Sequence, residues 1–98
     1  MQHQAPETLP DTLLSAPISA KYLYLFLNGR GTVSFSTRDL ARTLGLSQPA
    51  VRMAFDRIKD ADVVVFEEEP RERVKPIFRV LTREEVEQRE QNNSYPVL

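Results

Sequence analysis

The sequence predicts an α+β domain in which three helices form a core, a small β hairpin follows them, and a fourth helix closes the chain. Three observations predict it. Apolar residues recur at helical spacing three times before residue 62, each run opened by Ser, Thr or Pro and closed by Gly, Asn or Asp. Two short runs rich in β-branched and aromatic residues, 63–66 and 76–81, then flank a charged turn. After them Thr82-Arg83-Glu84-Glu85 has the S/T-x-x-E form of a capping box, ahead of a polar stretch.

Size and composition bound the reading. With 98 residues the chain builds one core, because two would each bury too little apolar surface to offset the entropy of ordering them. Its 41% hydrophobic content contains no run near the roughly 20 apolar residues that span a bilayer, so no membrane partner is expected. Residues 1–10 lack the basic and apolar blocks of a secretory signal, and the absence of cysteine removes any disulfide framework, so the expected location is cytoplasmic. The net charge of -1 hides a gradient. Between residues 15 and 66 seven Lys and Arg face four Asp, whereas the glutamates gather at 67–69, 72 and the C-terminal stretch. A basic middle with acidic ends suits contact with a limited number of phosphates.

Element by element, residues 1–16 carry Pro6 and Pro10 and no sustained period, and read as a flexible N-terminal tail. The folded unit is expected over 17–82, with a C-terminal helix and tail over 83–98. Residues 18–28 form the first helix, with Ile18, Tyr22 and Leu25 as the predicted buried stripe and Leu23, Phe26 and Leu27 widening it. Asn28-Gly29-Arg30-Gly31 ends it, and 32–36 alternates as one brief strand. Ser36 or Thr37 caps the second helix, which presents Leu40, Ala41 and Leu44 on one face and stops at Gly45. Ser47 caps the third, 48–61, with Pro49 in the first turn and Val51, Phe55 and Ile58 as its inward stripe. A strand from Val63 runs into Glu67, Glu68 and Glu69, the turn covers 70–75, and 76–81 returns. The last helix, 83–91, has Val86 as its one apolar anchor.

Two helices joined by a tight Gly-containing turn, with a hairpin directly after the second, make a helix-turn-helix followed by a wing. Thr37-Arg38-Asp39-Leu40-Ala41-Arg42-Thr43-Leu44-Gly45-Leu46-Ser47-Gln48-Pro49-Ala50-Val51, then Phe55-Asp56-Arg57-Ile58 and Val63-Val64, carry a resemblance to the winged helix-turn-helix DNA-binding regulators, the MarR-like and ArsR-like group. It covers residues 18–82. Two features depart from that pattern: Asp62 stands where many members have Gly before the strand, and the wing's leading strand bears three carboxylates.

The resemblance implies a sequence-specific double-stranded DNA-binding protein, a transcriptional regulator acting as a homodimer, with helix 48–61 in the major groove. By position Ser47, Gln48 and Arg52 then meet base edges, Gln suiting adenine and Arg guanine. The outward face, opposite the inward stripe, is expected to hold Pro49, Arg52, Met53, Asp56 and Arg57. Arg38, Arg42, Arg57 and Lys59, with Arg71, Arg73 and Lys75 of the wing, are expected at phosphates. Blander readings stand beside these. Ser47 is an N-cap in any case, Gln48 suits a solvated first turn, Arg38 and Arg42 suit pairing with acidic neighbours, and Met53 suits plain exposure.

Parts for catalysis are missing from the pattern. There is no glycine-rich phosphate loop, and the single His3 lies in the tail without metal-ligand spacing, so neither an enzyme nor a cofactor is expected. Two other uses of the fold remain open: a DNA-segregation adaptor or antitoxin using the same surface, and a winged-helix protein-contact module. A protein partner is accommodated by the N-terminal tail or the C-terminal helix.

Overall fold

Side-chain caps at Ser36, Ser47 and Thr82 open three of the helices among the described residues. The computed structural model describes residues 9–69 and 71–94. The expected tail over 1–8 and the frayed end over 95–98 lie outside them. Among the described residues a 3-10 turn, Asp11–Leu13, precedes α1 (Ile18–Leu27), α2 (Thr37–Leu44), α3 (Gln48–Asp60), β1 (Val64–Glu68), β2 (Ile77–Val80) and α4 (Arg83–Ser94). The result is an α+β domain of four helices and a two-stranded antiparallel hairpin. No helix among the described residues is long and apolar enough to cross a membrane.

The joint between α2 and α3 is three residues long and fully explained by local chemistry. Ser36 Oγ accepts from the Asp39 N–H at 3.0 Å while the Asp39 carboxylate accepts from the Ser36 N–H at 3.0 Å, a reciprocal capping box that starts α2. Gly45 ends α2 at φ 71°, where a Cβ is costly, and its N–H donates to the Ala41 carbonyl. Ser47 then starts α3, its Oγ accepting from the Ala50 N–H at 3.2 Å, with Pro49 placed where a missing N–H leaves no gap.

Packing selects faces that periodicity alone leaves ambiguous. α1 and α2 both pack on α3, and α1 also reaches β2. On α1 the predicted stripe is corrected in part: Leu23 and Leu27 are buried as expected, with Ala20 and Tyr24 beside them, whereas Ile18 is 82% exposed and Tyr22 and Leu25 are exposed with it. The helix is apolar on almost every side, so either face satisfies the period. The buried face carries Tyr24, whose hydroxyl donates to the Leu81 carbonyl, while Tyr22 on the other face donates to the Leu44 carbonyl at 3.4 Å. On α3, Val51 and Ile58 are buried as expected, with Ala54 as the third member. Phe55 is half-buried at the edge of that stripe, edge-on to Phe78 at 5.2 Å and to Phe66 at 6.0 Å, so it bridges α3 to the hairpin.

The expected tail is packed from Leu9 onward. Leu9, Pro10 and Leu13 are buried, Leu13 completely, and Ala16 packs against the same core. Burial of the two leucines contributes to ordering the segment, and Pro10 has less backbone freedom to lose.

The hairpin pairs Val64 with Val80, Val65 with Arg79 and Phe66 with Phe78, then bulges so that Glu68 meets Ile77 and Glu67 is left outside the ladder. Before it Asp62 takes φ 63°, the left-handed geometry that a short carboxylate side chain tolerates. The strand expected over 32–36 is reduced to one reciprocal pair, Val33 with Phe78, at 2.8 and 2.9 Å. Gly31 ends one turn and Ser36 begins the next cap, which leaves too little chain for more. α4 opens on the Thr82–Glu85 capping box, with bonds of 2.9 and 3.1 Å, and extends past the expected residue 91 to Ser94. Val86 anchors it, helped by Arg79 on Glu85 at 2.9 Å and by Arg89, which donates to the Asp62 carbonyl.

Candidate nucleic-acid interface

Burial of Val51, Ala54 and Ile58 turns the opposite side of α3 to solvent. Its first half presents Gln48, Pro49, Arg52 and Met53, all exposed, with no carboxylate among them. Its second half adds Asp56 and Asp60 beside Arg57 and Lys59. A polyanion therefore meets favourable charge at the N-terminal half, where the helix dipole is also positive. The Ser47 hydroxyl is exposed and already accepts the cap bond from Ala50, which leaves its own proton free to donate.

The predicted cations do not form one patch. Gln48, Pro49, Arg52 and Met53 share a face of α3, and Arg38 and Arg42, at i and i+4, share an exposed face of α2. Arg57 lies five residues after Arg52, about 140° around the helix. It lines a separate cleft of about 540 Å³ with Leu13, Asp60, Val86 and Arg89. Lys59 turns toward the hairpin, its ammonium 6.0 Å from the centre of the Phe66 ring.

Two of the cations in the hairpin turn are paired, one within the hairpin and one with α2. Arg71 lies 2.8 Å from Glu68, and Lys75 lies 2.8 Å from Asp39 at the start of α2. Arg73, at φ 67° in the turn, has no ion-pair partner among the described residues, and the same is true of Arg38, Arg42, Arg52 and Arg57. The three glutamates are dispersed by the bulge: Glu67 and Glu69 are exposed and Glu68 is half-buried against Arg71.

The Asp39–Lys75 pair was not foreseeable from spacing. Its members are remote in sequence, and Asp39 already had a sufficient local reason in the capping box. The hydrogen bond from Lys75, then that from the Ser36 N–H, holds the Asp39 carboxyl down at about 2. Among the described residues no group of three or more His, Cys, Asp or Glu could hold a metal ion. Comparison of the chain with models of protein families, with curated proteins and with solved structures finds no match.

Proposed function

We propose that the chain is a winged helix-turn-helix protein that binds double-stranded DNA sequence-specifically, as a homodimeric transcriptional regulator. The observation that carries this reading is the first half of α3: capped by Ser47, entered through Pro49, free of carboxylates, and presenting Gln48 and an unpaired Arg52 side by side. In this reading that half lies in the major groove, where Arg52 matches the two acceptors of guanine and Gln48 the donor and acceptor of adenine. Arg38 and Arg42 on α2 and Arg73 in the hairpin grip phosphates on either side, and the hairpin acts as the wing. Pairing of two copies supplies the contact area that one small domain lacks. The apolar row Ile18, Tyr22 and Leu25 on α1 offers such a copy a surface.

That same row supports a second reading, a winged helix used for protein contact, which Asp56 and Asp60 on α3 also favour. Filter binding to random and selected duplexes between about 50 and 200 mM salt separates the two. The DNA reading expects affinity to fall steeply with salt and a selected site to outcompete random duplex. Absence of duplex binding at the low-salt end overturns it in favour of protein contact.

A further inference from the structure

We infer that Asp39 is a positioning residue of the proposed interface, whose carboxylate holds Lys75 against the start of α2 and so keeps that lysine off the phosphates. The inference rests on the DNA-binding reading above and specifies how one edge of that surface is controlled.

The Asp39 carboxylate does two things with one oxygen. Oδ2 accepts from the Ser36 N–H at 3.0 Å and lies 2.8 Å from Lys75 Nζ. Only the first task belongs to the helix cap, and a neutral amide keeps that acceptor while giving up the carboxylate's added attraction to the helix N-terminus. The negative charge also meets a second target, Lys75. Of the three cations in the turn between the strands, Arg71 pairs with Glu68 inside the hairpin and moves with it, and Arg73 pairs with nothing among the described residues; Arg79, on β2 itself, pairs with Glu85 of α4. Lys75 alone of the three pairs with another element.

The neighbouring packing points the same way. Pro76, next to Lys75, lines a small apolar groove with Phe35, Thr37 and Leu40, so the returning limb of the hairpin already lies across the start of α2. Ser36, Arg71, Arg73 and Lys75 line one shallow cleft beside it. The pair thus spans a seam between the hairpin and α2 that the packing of Pro76 and the Phe55–Phe78 contact already hold together. It also cancels one positive charge at an edge where a phosphate approaches, leaving Arg73 as the hairpin's gripping cation.

The test is the dependence of duplex affinity on salt, because each phosphate neutralised changes the slope of log K against log salt by about 0.9. Asp39→Asn keeps an acceptor for the Ser36 N–H and frees Lys75. Its slope is expected to steepen by about one per subunit, with tighter binding to random duplex and a smaller advantage for the selected site. Adding Lys75→Gln to that variant is expected to return the slope to the wild-type value. In the otherwise wild-type chain, which does not depend on Asp39→Asn folding, Lys75→Gln is expected to leave the slope unchanged while Arg73→Gln flattens it by about one. An unchanged slope for folded Asp39→Asn, or a slope flattened by Lys75→Gln alone, overturns the inference while leaving DNA binding intact. Failure of the wild-type chain itself to bind duplex overturns the underlying reading and this one with it.

Discussion

The Tyr24 hydroxyl donates to the main-chain carbonyl of Leu81, 57 residues further along the chain, and so fastens α1 to the strand that leads into α4. Tyr24→Phe keeps the ring and removes the donor, leaving the Leu81 carbonyl without it. The expected loss is about 1–2 kcal/mol, read from the urea midpoint at unchanged m-value. Burial first, and Glu85 second, push this phenol from 10.0 up to about 12. Because the folded state favours the neutral form, the associated stability is complete below pH 10 and is lost as pH rises from there toward about 12. The phenylalanine variant lacks that alkaline loss, and identical alkaline profiles for the two proteins contradict the assignment.

Asp39 behaves in the opposite sense. Its folded-state carboxyl titrates near 2 against an ordinary 3.8, so the charge interaction with Lys75 is fully present above the ordinary value and disappears as pH falls through about 2. Carboxyl-carbon NMR is expected to show the low midpoint in the wild type and a rise in Lys75→Gln. A wild-type midpoint in the ordinary range shows that the pair does not form in solution.

Leu13 tests the packing of the segment before α1. It is fully buried while its neighbour Leu14 is exposed. Leu13→Ala is expected to cost about 2–5 kcal/mol, and Leu14→Ala to stay within about 0.5 kcal/mol of the wild type. Equal, small effects at both positions mean that the segment is detached in solution.

Under the DNA-binding proposal, two arginines do different work. Arg52→Ala is expected to weaken the selected site by about 1–3 kcal/mol and to relax the base choice at one position in each half-site. Arg73→Ala is expected to weaken selected and random duplex alike. A full base-substitution series on the selected site makes the comparison, and retention of every base preference by Arg52→Ala removes α3 as the reading element.

What the sequence determined by itself is the order of elements and the chemistry of their ends. Ser36 with Asp39, Gly45, Ser47 with Pro49, and Thr82 with Glu85 act across three or four residues, so spacing alone reveals them. The outward set Gln48, Pro49, Arg52 and Met53 was legible for the same reason: α3 is strongly amphipathic, and naming its buried stripe names its exposed one. Tertiary structure decided what depends on residues far apart. α1 is apolar nearly all round, so only its neighbours could choose Ala20, Leu23, Tyr24 and Leu27 over Ile18, Tyr22 and Leu25. Leu9 and Leu13 acquired a purpose only once the folded core offered them a place to bury. Lys75 was handed to Asp39 because charge partners remote in the chain are set by distance in space, on which sequence separation places almost no constraint.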